Sequence, residues 1–346
     1  MSKFLHRAAA AALACAFAGG PLAALADTQF IGAGSSFDKP FFDGVFYQYR
    51  QDHTDVRVDY SSIGSGGGIQ QFTNKVVDFG ASDVPLNPNE MKAAMDSNGP
   101  VVEFPVTLGG VAIAYNVPGT TGHVRLSAPV LVDIFLGKIT NWNDAAIAAI
   151  NPGAQLPNLP LVVVHRADGS GTTYIFTDYL SHVSAQWKSQ VGTSKTVSWP
   201  AASSVGMKGN EGVAGQIQNT PGAIGYVELA YALENDISYA AIRNASGNYV
   251  VPSVDSVRTA AAQKPNVSSS DFSIVNQEGA SSYPICGYSW VMLWRNQGDP
   301  VRGKQLVDLF RWVVTSGQQY ATQIKYVALP ENVQSLAEAA LKTIHS

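Results

Sequence analysis

Three short segments of the sequence are rich in glycine and hydroxyl side chains, a composition suited to holding an anion. They are residues 32–37 (GAGSSF), 64–68 (GSGGG) and 168–172 (DGSGT). Each is predicted as a loop that follows a strand and leads into a helix, whose first N–H groups lack internal partners and carry partial positive charge. One such segment is usually an ordinary turn or helix cap, but three in one chain favour an oxyanion site.

Arg166 and Asp83 are the charged residues that would give such a site its specificity. A guanidinium group suits a tetrahedral oxyanion, although Arg166 could also form an ion pair with Asp168. Asp83 follows a predicted strand, where α/β proteins place their ligands. Phosphate has a P–OH group at neutral pH, so Asp83 would accept a hydrogen bond from it. Sulfate carries no proton, so the carboxylate would repel it. The alternative is that Asp83 caps a turn, which is the commoner use of such a residue.

Other functions receive less support from the same segments. A secreted phosphatase or esterase would need a general base near Ser36, Ser65 or Ser170, and no histidine lies in those segments. The glycine patterns match neither a nucleophile elbow nor a Walker or dinucleotide motif, and His and Cys show no metal-ligand spacing. We therefore predict a non-catalytic protein without metal or cofactor. A binder of sulfate, molybdate or tungstate remains an alternative that Asp83 disfavours.

Strands and amphipathic helices alternate along the chain, which predicts an α/β architecture. Strands are expected at residues 56–60, 76–79 and 161–164, each before a site segment or Asp83. Helices are predicted from apolar stripes, which are Phe41, Phe42, Val45, Phe46 and Tyr49; Ile175, Phe176, Tyr179, Leu180 and Val183; and Leu306, Leu309, Phe310, Val313 and Val314. A last helix is expected to start near Pro330.

The first 26 residues read as a cleaved signal peptide, with Lys3 and Arg7 before an alanine-rich run that ends at Ala24-Leu25-Ala26. A retained anchor or a lipoprotein cut before Cys15 are less favoured alternatives. Without the leader the chain has 20 basic and 26 acidic residues, a net charge of −6 that does not attract nucleic acid. Cys286 then stands alone in an apolar run, so we expect no internal disulfide and a buried thiol.

At these segments the sequence resembles the PstS family, the binding components of ABC-type phosphate uptake systems. The resemblance covers nearly all of the mature chain. It rests on the three glycine segments and on further stretches, which are 77–83 (VDFGASD), 136–139 (LGKI) with Trp142, 166–172 (RADGSGT), 208–210 (KGN) and 221–227 (PGAIGYV). Two positions depart from the family pattern. Ser36 replaces the usual Thr but keeps its hydroxyl, and Gly66 replaces a common Ser.

The resemblance implies a set of phosphate-binding residues in this chain. Ser36 and Ser65 would donate from hydroxyls, and Phe37 would donate from its backbone N–H. Ser170, Gly171 and Thr172 would form a third helix N-terminus around the anion. Asp83 would accept the phosphate proton, and Arg166, held by Asp168, would make the charged contact. The implied ligand-binding residues are Ser36, Phe37, Ser65, Asp83, Arg166, Ser170, Gly171 and Thr172.

The resemblance also implies a two-lobed periplasmic-binding-protein fold of type II, with hinge strands and a ligand cleft between the lobes. Lobe one would comprise residues 27–108 and 286–346, and lobe two residues 109–285. The family's function implies a periplasmic monomer that captures inorganic phosphate with high affinity. It would deliver phosphate to an ABC permease and its ATPase complex.

Overall fold

The computed structural model describes residues 28–345 of the chain. The predicted signal peptide, residues 1–26, lies outside this range. The strands are β1 (Thr28–Gly34), β2 (Val56–Ser62), β3 (Phe79–Ser82), β4 (Val101–Tyr115), β5 (Arg125–Leu126), β6 (Val162–Arg166), β7 (Ser204–Met207), β8 (Ala223–Glu228), β9 (Ala241–Arg243), β10 (Tyr249–Val250) and β11 (Cys286–Trp294).

Helices connect most of these strands, as expected of an α/β protein. They are α1 (Lys39–Asp52), α2 (Gly64–Thr73), α3 (Pro88–Asn98), α4 (Ala128–Phe135), α5 (Ala145–Ile150), α6 (Gly171–Val183), α7 (Ala185–Gln190), α8 (Gly209–Asn219), α9 (Leu229–Glu234), α10 (Val254–Gln263), α11 (Pro300–Val314) and α12 (Glu331–Leu341), with a 3₁₀ helix at Ser316–Ile324. Within residues 28–345, no helix combines the length and apolarity needed to cross a membrane.

Eight strands form one long sheet in the order β2-β1-β3-β11-β4-β8-β6-β7. In the first half of the sheet, β1 runs parallel to β2 and β3, and in the second half β6 runs parallel to β7 and β8. β11 is antiparallel to β3 and to β4. β4 is antiparallel to β8, so the two parallel halves run in opposite directions and their carboxyl ends can face each other.

The two halves are joined through β4, the longest strand. Val101 to Gly110 pair with β11, whereas Val111 to Tyr115 pair with β8. This change of partner is what a strand does when it passes from one lobe into the other, and it confirms the two-lobed architecture. We propose lobe limits of 27–108 plus 286–346 and 109–285, since the exchange at Gly110 and Val111 falls within a few residues of them.

The predicted apolar stripes are the buried faces of their helices. The five predicted residues of α1 are all buried, and so are the five of α11. In α6 four of the five are buried, and Val183 at its end is half-buried. Cys286 lies fully buried at the start of β11, as expected. The last helix begins directly after Pro330, as predicted.

Three element boundaries differ from the sequence-based prediction. The glycine segment 64–68 is not a loop before a helix but the first turns of α2. β3 begins at Phe79, so residues 76–78 precede the strand, and β6 extends to Arg166. Close packing at Gly64 and Gly68 outweighs the low helix propensity of glycine in α2. The limits of the two strands follow their pairing, since β3 pairs with β1 from Phe79 onward and β6 pairs with β7 as far as Arg166.

Candidate anion-binding site

The N-termini of four helices meet where the two halves of the sheet face each other. α1 and α2 follow β1 and β2 in the first half, and α6 and α8 follow β6 and β7 in the second. Hydrogen bonds join these ends across the boundary, among them Asn210 N–H to Ser36 Oγ at 3.0 Å and Gly171 N–H to Ser65 Oγ at 3.0 Å. Because each helix N-terminus carries partial positive charge, their convergence produces a place that favours an anion.

Two buried hydroxyls, those of Ser36 and Ser65, each accept two hydrogen bonds from protein N–H groups, which leaves their own protons to donate. Ser36 Oγ accepts from Asn210 N–H and Nδ2, and Ser65 Oγ accepts from the N–H groups of Gly171 and Asp83. The Thr172 hydroxyl accepts from Asn210 Nδ2 at 3.1 Å and donates to Asp83 Oδ2 over a long 3.5 Å contact. A hydroxyl has one proton and two lone pairs, so filling the lone pairs from the protein turns the group into a donor. This arrangement suits an acceptor-rich ligand such as an oxyanion.

Two backbone donors in the predicted set already have acceptors within the protein. Phe37 N–H donates to Ser35 Oγ at 2.9 Å, and Gly171 N–H to Ser65 Oγ. Ser170 is the N-cap of α6, and its hydroxyl accepts from Thr173 N–H at 3.0 Å. An anion would therefore share these N–H groups with the hydroxyls or replace them as the acceptor.

Asp83 lies directly after β3 and is almost fully buried between the helix ends. Its Oδ1 accepts from the hydroxyls of Ser35 and Ser289, and its Oδ2 lies 3.5 Å from Thr172 Oγ1. Burial raises the pKa of Asp83 to about 6, against the lowering effect of the Ser35 and Ser289 hydrogen bonds and the positive charge of Arg166. The carboxyl group is therefore mainly an ionised acceptor above pH 6 and mainly a donor below it.

Arg166 ends β6 with its side chain only 1% exposed. Its Nε and Nη2 bind the two oxygens of Asp168 at 2.7 and 2.5 Å, which leaves Nη1 outside the pair. Burial opposes ionisation of Asp168, but the hydrogen bonds and charge of Arg166 hold its pKa below the ordinary value. Both sequence-based interpretations of Arg166 are therefore compatible, because a guanidinium fixed by Asp168 still offers a nitrogen to a ligand.

Two glycines allow the halves to approach each other closely. A Cβ on Gly64 would lie 2.1 Å from Asp168 Oδ2, and Gly64 has a φ of +79°. A Cβ on Gly171 would lie 2.5 Å from the Cβ of Asp83. A direct bond from Gly66 N–H to Gly169 O at 2.8 Å adds to this contact. The glycine content of the segments therefore serves the contact between the halves as well as access to the backbone.

Comparisons with known proteins identify the family. A model of the PBP superfamily domain matches residues 21–316. A phosphate-binding protein PstS from Xylella fastidiosa is 43% identical over 311 residues, which cover 89% of this chain and 83% of that protein. A PstS protein from Pasteurella multocida is 43% identical over 315 residues, or 90% and 89% of the two chains. The chain belongs to the PstS family.

A solved structure agrees with this membership at the level of the fold. It is that of PfluDING, a high-affinity periplasmic phosphate-binding protein bound with phosphate. Its TM-score is 0.75 at 23% identity, with 90% of this chain and 93% of that chain covered. The alternating α/β pattern and the two lobes predicted from the sequence are thus those of a periplasmic-binding fold.

Residues outside the predicted PstS-type set complete the site. Asn210 binds Ser36 and Thr172 through Nδ2, while its Oδ1 accepts from Glu228 N–H at 3.0 Å. Ser35 and Ser289 hold Asp83. Asn210 lies in a stretch that carried the family resemblance, and this is the one sequence signal that could have singled it out. Ser289 gave no such signal, because it is one polar residue in an apolar strand.

A salt bridge outside the anion site also connects the two halves of this PstS-family chain. Lys195 Nζ lies 2.5 and 2.6 Å from the carboxylate oxygens of Glu90 on α3, and the two side chains are 14% and 24% exposed. Such partly exposed pairs contribute at most about 1 kcal/mol. Because Lys195 lies in the segment between α7 and β7, the pair favours contact between the halves.

We expect Lys195→Met to weaken binding of an anion between the halves by about twofold to fivefold, mainly through faster dissociation. The methionine keeps the apolar stem but cannot bind Glu90. Stopped-flow dissociation at low and high salt measures the effect, which should shrink as salt screens the wild-type pair. Lys188→Met, at an exposed lysine of α7, is the matched control. Equal dissociation rates for wild type and Lys195→Met at low salt would contradict the role of this pair.

Proposed function

We propose that this chain captures inorganic phosphate in the periplasm, with high affinity and without catalysis, and delivers it to an ABC permease and its ATPase complex. Membership of the PstS family and the convergence of four helix N-termini support this proposal. The ligand-binding residues are Ser36, Phe37, Ser65, Asp83, Arg166, Ser170, Gly171 and Thr172, with Asp168 holding Arg166 in place.

The choice of phosphate rests on Asp83, a buried carboxyl group within the field of Arg166. The hydroxyls of Ser36 and Ser65, which accept hydrogen bonds from the protein, lie in the same site. An ionised carboxylate accepts a hydrogen bond from a P–OH group. A sulfate oxygen carries no proton, so it and the carboxylate oxygen are both acceptors and repel each other. Arg166 and the hydroxyl groups are donors, and they would bind the unprotonated oxygens of the anion. One acceptor among many donors is thus the pattern that fits a protonated tetrahedral anion.

Closure of the two lobes over the anion is the proposed binding motion. Ser36 and Asp83 follow strands of the first half of the sheet, whereas Arg166 and Thr172 lie at the end of β6 and the start of α6 in the second half. A ligand that contacts both groups stabilises the closed arrangement, as in hinge-bending binding proteins. The proposed hinge is the part of β4 where the pairing passes from β11 to β8.

Competition in equilibrium dialysis tests this function. The mature chain, stripped of ligand, is dialysed against radiolabelled phosphate at pH 8 with an excess of sulfate or of arsenate. We expect arsenate to compete, since it also keeps a proton, and sulfate to leave phosphate binding unchanged. Equal competition by sulfate would refute the choice of ligand. Hydrolysis of a phosphate ester, absent in Ser36→Ala, would instead favour a secreted phosphatase.

A further inference from the structure

Asp38 is a buried carboxyl group that the proposed phosphate contacts do not use. It is the N-cap residue of α1, yet its side chain makes no capping hydrogen bond. The residue is fully buried, and its Oδ2 lies 2.6 Å from Ser289 Oγ on β11. Its Oδ1 has no hydrogen-bond partner among residues 28–345. Capping of α1 therefore does not explain why an aspartate is buried at this position.

Ser289 lies between two carboxyl groups and has one proton to give. Its Oγ is 2.6 Å from Asp38 Oδ2 and 3.0 Å from Asp83 Oδ1. If both carboxyl groups were ionised, one of these contacts would place two oxygen lone pairs together with no proton between them. A proton on Asp38 removes the conflict: Asp38 then donates to Ser289, and Ser289 donates to Asp83.

The surroundings of Asp38 also disfavour a negative charge. Asp83 and Glu228 are the carboxyl groups that face it, and Tyr60 and Tyr326 are the neighbouring phenols. Burial raises the pKa of Asp38, the charges of Asp83 and Glu228 raise it further, and the Ser289 hydrogen bond lowers it. The N-terminus of α1 favours an anion, but the side chain gives that helix no hydrogen bond.

We propose that Asp38 is a neutral carboxylic acid that donates a hydrogen bond to Ser289 and thereby turns the Ser289 hydroxyl toward Asp83. Asp38 is thus a positioning residue for the anion acceptor. With Ser35 and Ser289 both donating to Oδ1, Oδ2 of Asp83, whose contact from Thr172 Oγ1 is 3.5 Å long, can accept the proton of the ligand. The role in phosphate selection rests on the proposed function, whereas the protonation state of Asp38 does not.

Carboxyl-carbon NMR of the phosphate-free mature chain, labelled with ¹³C at aspartate side chains, tests this inference. We expect one buried resonance to stay at the position of a protonated carboxyl group from pH 6 to pH 8. That resonance should vanish in Asp38→Asn, shift in Ser289→Ala and persist in Asp43→Asn, a control at an exposed residue of α1. Loss of the protonated resonance at pH 7 in wild type would overturn the proposal, even if Asp38→Asn did not fold.

Affinity provides the second measurement. The amide of Asp38→Asn donates to Ser289 as a protonated acid does, so phosphate affinity should stay within about threefold of wild type. If Asp38 were ionised in wild type, removing its charge would tighten phosphate and sulfate binding alike by about tenfold or more. That gain would overturn the proposal. A protonated resonance in a chain that binds no phosphate would sink the proposed function but leave the protonation of Asp38 standing.

Discussion

Sulfate should bind this protein roughly 50-fold more tightly at pH 6 than at pH 8, because only the protonated form of Asp83 can donate to it. The pKa of Asp83 is about 6. About half of the molecules therefore carry the proton at pH 6 and about one in a hundred at pH 8, and the observed sulfate affinity follows that fraction. The affinity should level off below pH 6. Calorimetric titration with sulfate across this pH range measures the profile.

Asp83→Asn should abolish this pH dependence. Its amide offers a permanent N–H donor, so sulfate affinity at pH 8 should rise by roughly 50-fold or more over wild type. Phosphate affinity should change by less than about tenfold, because the amide oxygen can still accept the P–OH proton. Asp59→Asn, at a carboxylate of β2 whose side chain is 43% exposed, is the control. A flat sulfate profile in wild type, with no gain in Asp83→Asn, would reduce Asp83 to a turn residue.

Arg166→Ala should weaken phosphate binding by at least about 100-fold, since a charged hydrogen bond is lost and a buried charge is left alone. The side chain is 1% exposed, and both of its bonds to Asp168 disappear. The unpaired Asp168 would then repel the anion and destabilise the fold by about 3–5 kcal/mol. Arg166→Lys keeps the charge without the planar geometry and should lose about tenfold. Titration calorimetry and urea unfolding measure the two effects.

The double variant Arg166→Ala/Asp168→Ala separates the two roles of Arg166. We expect it to recover most of the lost stability, because no charge is left unpaired, while phosphate affinity stays low. Arg57→Ala, which removes an exposed arginine paired with Asp59, is the control for loss of a positive charge. If the double variant bound phosphate within about threefold of wild type, Arg166 would only balance Asp168 and would not contact the ligand.

Local sequence patterns were sufficient to predict the α/β class, whereas the two lobes were predicted from the family resemblance. The stripe of α1 and that of α11 follow the period of a helix, and their residues are buried as expected. The alternation of strand and helix predicts parallel β–α units, which the pairing of β1 with β2 and of β6 with β7 provides. These features depend on neighbours within one or two helical turns, which is the range over which a sequence is most informative.

Contacts between distant parts of the chain were not predictable in the same way. Ser289 is 206 positions from Asp83, and Asn210 is 174 positions from Ser36. Each is a single polar residue whose role depends on which strand ends meet in the folded chain. The position of Asp38 illustrates the limit: it is the N-cap residue of α1, yet its side chain contacts Ser289 on β11.

The glycines of α2 show how a local preference can mislead. Gly64 to Gly68 have low helix propensity, so the sequence predicts a loop. In the fold they form the first turns of α2, since a side chain at Gly64 would collide with Asp168 and one at Gly68 would lie 2.3 Å from the Cα of Gly34. Close packing against two other segments outweighs the propensity.

Titration calorimetry of the ligand-stripped mature protein at pH 8, first with phosphate and then with sulfate, tests the central claim most directly. At this pH Asp83 is ionised and the discrimination should be at its greatest. Tight one-to-one binding of phosphate with almost no response to sulfate is the predicted result. The absence of phosphate binding, or a response to sulfate as strong as that to phosphate, would contradict the account of this site as a phosphate-selective cleft.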